Sequence, residues 1–161
     1  MDLMQWLTQV PMGEFCFTVL VSMIPVVELR GGIPFGAARG LPVWAAYLAA
    51  IIGNILPVPF ILVYIRQVFH WMRRRFPRLN RLVDRLERKA HLKGQTVTKY
   101  KYLGLMLFVA IPLPGTGAWT GALAAAFLDM PLRKALPSIF AGIVIAGAAI
   151  SVITFGVASL F

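Results

Sequence analysis

Ile24-Pro25-Val26-Val27-Glu28-Leu29-Arg30-Gly31-Gly32-Ile33-Pro34-Phe35-Gly36 is the stretch that decides how this chain is read. It sets a carboxylate and a guanidinium two residues apart in otherwise apolar sequence. Pro25 and Pro34 lack an N–H, and Gly31-Gly32 accepts backbone conformations that other residues avoid. The residues therefore predict broken chain at Pro25, Gly31, Gly32 and Pro34 rather than one continuous helix. At membrane depth, broken backbone and ionisable side chains are tolerated only where protein or a water-filled cavity covers them. The segment is expected to line a polar pocket inside a bilayer.

Composition points the same way. Of 161 residues, 59% are hydrophobic and 14% charged, with a mean hydropathy of +0.77. A soluble domain averages about 45–50% apolar. An integral membrane protein of one domain, residues 1–161, is expected. Cys16 is the single cysteine, so no internal disulfide forms, and no His or Cys neighbours it to share a metal. No cofactor is expected. A phosphate-binding glycine loop is missing, which argues against ATP hydrolysis. No nucleophile, base and orienting partner can be grouped, so the chain does not read as an enzyme.

The net charge of +10 is concentrated. Residues 66–101 hold twelve Lys/Arg against Asp84 and Glu87, and the remainder is neutral. Under the positive-inside rule this segment is cytoplasmic, in a multi-pass protein of the plasma membrane. Phe69, Met72, Phe76, Leu79, Val83, Leu86 and Ala90 recur three and four residues apart. They predict a basic amphipathic helix, or a pair restarted at Pro77, lying on anionic lipid headgroups. A self-associating coiled coil is the alternative. The arginine run lacks interleaved aromatics that stack bases, so no nucleic-acid partner is expected.

Working outward, residues 2–10 read as a short surface helix ended by Pro11 and Gly13. Phe15 to Ile24 is apolar, but its length of about 15 Å is half of the roughly 30 Å hydrocarbon core. A half-helix that enters and turns back fits, with the return to the surface at Arg39-Gly40-Leu41-Pro42. Val43 to Ile65 is long enough to cross, with a kink expected at Asn54, Pro57 and Pro59. After the basic segment, Tyr102 to Ile111 is again a short apolar arm. It is stopped by Ile111-Pro112-Leu113-Pro114-Gly115-Thr116-Gly117-Ala118-Trp119-Thr120-Gly121, where Pro112, Pro114, Gly115 and Gly117 are the expected breaks. Leu136 to Phe161 is a second crossing helix.

The halves, about 14–65 and 102–161, carry the same features in the same order. Ile24-Pro25 falls on Ile111-Pro112 at an offset of 87, and Pro42 on Pro131 and Gly53 on Gly142 at an offset of 89. The second hairpin starts from the basic segment and the first from the opposite face. The predicted fold is all-α, with two inverted repeats. Each is a re-entrant helical hairpin followed by a transmembrane helix, and the basic cytosolic helix lies between them. Broken segments meeting near the midplane are a transporter signature.

Glu28 is the first site candidate, because an acid at membrane depth can load and release a proton. Arg30 can hold an anionic group in bidentate fashion. The alternative is that the two pair with each other at the hairpin tip. Thr116, Trp119 and Thr120 are candidates to meet substrate across from Glu28; equally, the threonines can bond to backbone groups freed by the break. Asn54 either caps the kink or faces the cavity.

The runs Glu28-Leu29-Arg30-Gly31-Gly32-Ile33-Pro34 and Pro112-Leu113-Pro114-Gly115-Thr116-Gly117-Ala118-Trp119-Thr120-Gly121 resemble the signatures of the small multidrug export protein family. That family is in turn similar to the DedA superfamily, of the SNARE-associated or VTT type. The resemblance implies paired re-entrant hairpins of inverted topology, with embedded acids and arginines linked to proton-dependent transport or lipid translocation. It places Glu28 at the acidic position of the first hairpin. The arginine of the DedA second hairpin has no counterpart here, where Thr116 and Trp119 stand. Three functions are therefore expected in turn: a secondary transporter coupled to protons through Glu28, a lipid flippase or scramblase, and a non-transporting membrane scaffold. Their partners would be membrane lipids and a small-molecule or amphiphilic lipid substrate. A homodimer would supply the pore wall that so few spans lack.

Overall fold

The computed structural model describes residues 11–75, 100–113 and 115–158. The surface helix expected over residues 2–10, the basic segment over residues 76–99, and Pro114 lie outside them. Among the described residues there are seven helices: α1 Met12–Met23, α2 Glu28–Ala38, α3 Val43–Ile55, α4 Pro57–Arg75, α5 Lys101–Ala110, α6 Ala118–Phe127 and α7 Leu132–Ala158.

The first hairpin is α1 and α2, joined by Ile24–Val27. Pro25 stops α1, and Ile24 closes the tip by accepting from the N–H groups of Val27 at 3.2 Å and Glu28 at 2.9 Å. Helix α1 starts directly after Pro11, so Gly13 is helical rather than a breaker. Gly31, Gly32 and Pro34 also depart from expectation, since all three lie inside α2. The glycines serve close approach. A Cβ at Gly31 would strike the Val27 side chain, and one at Gly32 the Ser22 hydroxyl. Pro34 removes one hydrogen bond from α2 on its exposed side, which a helix held by packing tolerates. The break is thus confined to the residues around Pro25.

Two spans are long and apolar enough to cross a bilayer: Val43–Ile65 and Leu132–Val157, with mean hydropathies of 2.2 and 2.3. The first is α3 running into α4, interrupted at Leu56. Pro57 and Pro59 have no N–H, so the carbonyls of Gly53 and Ile55 lose their helical donors there. The four hairpin helices have 12, 11, 10 and 10 residues. At about 1.5 Å per residue none reaches across a ~30 Å core alone.

Packing recurs between the halves position by position. Helix α1 lies on α3 as α5 lies on α7, and α2 on α3 as α6 on α7. The hairpin helices also cross over, α2 against α7 and α6 against α4. Leu41 N–H donates to the Gly36 carbonyl and Met130 N–H to the Ala125 carbonyl, each at 2.9 Å. Gly40 and Asp129 both take the left-handed backbone, with φ of 80° and 48°. A Cβ at Gly53 would collide with the Val19 carbonyl and Ser22, and one at Gly142 with the Met106 carbonyl and Val109. These matches obey the same offsets, 87 before the tips and 89 after them. Between the halves Leu29, Ile33, Ala50, Val58, Ala118, Ala122, Ile139 and Ile143 form one buried cluster. Alanines at these contacts let helices approach closely.

Candidate functional site

The two hairpin tips meet, and Glu28 is the hinge of the contact. It opens α2 with a left-handed φ of 50°, a conformation that costs a non-glycine residue about 1 kcal/mol or more. Its side chain is 5% exposed. The Oε1 atom accepts the backbone N–H of Trp119 at 3.2 Å. Trp119 is the second residue of α6, whose first turn has free N–H groups, and Gly117 before it offers no side-chain cap. Glu28 supplies that cap from the other half of the chain. A carboxylate at a helix N-terminus gains both a charge-assisted hydrogen bond and the favourable end of the helix dipole.

Gly117 completes the seat. A Cβ there would overlap the Glu28 carboxylate. At the offset of 89, Gly117 is the counterpart of Glu28, and Trp119 that of Arg30. The acid of one half thus occupies the space left by the missing side chain of the other.

Arg30 reaches the second tip separately, Nη2 donating to Thr116 Oγ1 at 3.1 Å. Among the described residues no ion pair joins Arg30 to Glu28; the pair found there is Arg39 with Glu14 at 3.5 Å. The reading in which acid and guanidinium tie only each other therefore gives way to two parallel ties across the tips. Guanidinium carries five donors, so Arg30 retains capacity beyond Thr116. Thr116 Oγ1 lies 2.7 Å from the Ile111 carbonyl and 2.8 Å from that of Leu113, and donates its one proton between them. Thr120 Oγ1 donates to the Gly117 carbonyl at 3.3 Å. Both threonines thus satisfy freed backbone, and Thr116 also receives Arg30. The Trp119 indole donates to the Met23 carbonyl at 3.2 Å, capping the last turn of α1. The structure brings Glu28, Arg30, Thr116, Trp119 and Thr120 together around the two tips.

Asn54 stands in α3 rather than at a tip. It is fully buried, and neither its Oδ1 nor its Nδ2 has a partner. It does not cap the kink. It shares a helix face with Ala50 and Val58, which belong to the cluster between the halves. No group of His, Cys, Asp or Glu among the described residues is arranged to hold a metal ion. Sequence reasoning treated Gly117 as a chain break and passed over Thr18 and Ser22, both fully buried. The signal for the threonine and serine was their four-residue spacing after Glu14.

A family model described as "Putative small multi-drug export protein" matches residues 28–149. The chain belongs to this family. The match opens on Glu28, just after the first tip, and takes in the second, so the Glu28–Trp119 and Arg30–Thr116 contacts lie inside the family region. No curated protein and no solved structure matches the chain. Membership, together with two helices able to span a bilayer, makes this a membrane protein of the export type at a coarse level.

Proposed function

We propose that the chain is a small secondary transporter whose coupling group is Glu28. The observation that carries this is the Glu28 carboxylate closing the N-terminus of α6 across the two tips. An ionised Glu28 holds the tips together. Protonation removes the charge that favours the helix end, weakens the tie and frees the α6 N–H groups. Arg30, with donors to spare and Thr116 as its lightly held partner, receives an anionic group of the substrate. Proton uptake and substrate entry thereby act on the two parallel ties that join the same pair of tips, which is what coupling requires.

In this reading the hairpins are re-entrant, and the halves are inverted repeats meeting near the bilayer midplane. The hairpin helices are too short to span, and the matched contacts of the two halves support a common ancestry of shape. Residues 66–101 are cytoplasmic by their charge, α1 enters from the opposite face, and the protein sits in the plasma membrane.

The test is flux in proteoliposomes under an imposed pH gradient, with sulforhodamine B as a small anionic probe and a fluorescent anionic phospholipid as the second. Glu28→Gln is expected to uncouple transport from the gradient. Coupled flux unchanged in that variant would remove Glu28 from the mechanism. A DedA-like lipid translocase is the second reading, favoured by Val26 and Leu113, 92% and 57% exposed at the two tips. Acyl chains would lie on these side chains while a headgroup reached Arg30. Movement of the phospholipid but not of sulforhodamine B selects it.

A further inference from the structure

Helix α1 carries Glu14, Thr18 and Ser22 four residues apart, a single stripe down one face. Thr18 Oγ1 donates to the Glu14 carbonyl at 2.8 Å, and Ser22 Oγ to the Thr18 carbonyl at 2.7 Å. Each hydroxyl oxygen keeps lone pairs with which to accept. Glycines face both: Gly36 lies over the Thr18 hydroxyl and Gly32 over that of Ser22. Ser22 also abuts Gly53, and the next residue along α3 is the unpartnered Asn54. At the far end Glu14 Oε2 is likewise buried without a partner, while Oε1 pairs with Arg39. The stripe stops one residue short of Met23, which holds the Trp119 indole beside the Glu28 cap.

The second half makes the same contacts with different chemistry. The counterparts of Glu14, Thr18 and Ser22 at the offset of 87 are Lys101, Leu105 and Val109. The counterpart of Asn54 at 89 is Ile143. Leu105, Val109 and Ile143 are buried core residues. Packing at these places is thus satisfied by hydrocarbon, and the hydroxyls and amide of the first half serve something else. Buried polar groups without protein partners call for water, and here such groups stand at both ends of the file.

We infer that Glu14, Thr18, Ser22 and Asn54 form a one-sided proton access path, carried by water and hydroxyls from the start of α1 to Glu28. The inference rests on the reading of Glu28 as the proton carrier. Each oxygen in the path takes one proton and passes one on, so nothing is consumed. The charged and titratable groups on the elements packed against α1 are Glu28 and Arg30 of α2, Arg39 directly after it, and Tyr47 of α3. Tyr47 is committed to the Val144 carbonyl at 3.1 Å.

The test follows the carboxylic C=O infrared band of Glu28, identified by its loss in Glu28→Gln. The full chain is reconstituted in phosphatidylcholine–phosphatidylglycerol vesicles, and the band is timed as it shifts on transfer to D2O. Thr18→Val with Ser22→Ala, which keeps both shapes, is expected to slow exchange at least about tenfold, because apolar groups offer the proton no hydrogen bond. Asn54→Ile, the residue its counterpart carries, is expected to slow it likewise. Leu105→Val, on the apolar counterpart face, is expected to leave it unchanged. Where the double variant does not fold, Ser22→Ala alone is judged by the same criterion. Exchange as fast as wild type in the folded variants overturns the path and leaves Glu28 standing. The absence at every pH of a protonated-acid band that depends on Glu28 overturns the carrier reading and the path together.

Discussion

Replacing Gly117 by alanine isolates the central contact. The backbone at Gly117 is extended, with φ 175° and ψ −169°, so alanine meets no conformational penalty there. The three nearest atoms all belong to the Glu28 carboxylate, with Cδ 2.6 Å from the new Cβ and the oxygens also in the way. The side chain must swing out, and Trp119 N–H then loses its charged acceptor. Such a bond contributes about 1.5–3 kcal/mol. The carboxylate also forfeits its place at the helix N-terminus, about 0.3–1 kcal/mol at exposed sites and up to ~2 where partly buried. Gly117→Ala should therefore destabilise by about 2–4 kcal/mol, measured by reversible denaturation in mixed micelles. The penalty should largely vanish in a Glu28→Ala background, where the carboxylate that meets the methyl group is gone; a double-mutant cycle reads that coupling directly. Gly104→Ala, where an added Cβ meets nothing within 4 Å, is the control and should be neutral or slightly stabilising. A Gly117→Ala protein as stable as wild type, or a penalty that persists without Glu28, would refute the reasoning.

Gly53→Ala and Gly142→Ala press a methyl group on a backbone carbonyl of the neighbouring helix. Both should cost about 1–3 kcal/mol in the same denaturation assay, and to a similar extent. Trp119→Phe leaves the Met23 carbonyl without its donor and should cost about 1–3 kcal/mol, visible as a lowered Tm. Arg30→Lys keeps the charge but loses the planar fork; it should weaken uptake of both anionic probes while leaving the Tm near wild type. Asn54→Leu removes two unpartnered polar atoms and should raise the Tm while lowering gradient-driven flux, separating a functional amide from a merely structural one.

Much of the fold was legible in the sequence. Pro25 and Pro112 mark the tips because a residue without an N–H ends a short apolar helix, and the structure stops α1 and α5 at Met23 and Ala110. The two uncharged runs fall in the two stretches long and apolar enough to cross a bilayer, although the second helix begins earlier, at Leu132, and takes in Arg133 and Lys134. Gly31 and Gly32 look like breaks because local preference does not register that Val27 and Ser22 need the room a side chain would take, and Pro34 because it does not register the packing that holds α2 together. The candidate residues around the tips were legible by type, as ionisable and hydroxyl groups set in apolar sequence. Their pairing was not. That Glu28 ties to a backbone N–H of α6, and not to Arg30, depends on a helix end contributed 91 residues away. Asn54 was left open between two roles, and only its burial without a partner sets the kink-capping role aside.

Everything proposed for Glu28 requires that the two tips meet inside the bilayer. Its most direct measurement is the immersion depth of spin labels at Val26 and Leu113, exposed residues whose replacement leaves the core intact, in a Cys16→Ser background in lipid bilayers. Power saturation with oxygen and a water-soluble nickel chelate reports depth. Both labels should lie near the midplane at matching depths, while a label at Gly13 sits at the headgroups. Either tip label found in bulk water, or the two at opposite surfaces, would mean that the tips do not meet at membrane depth.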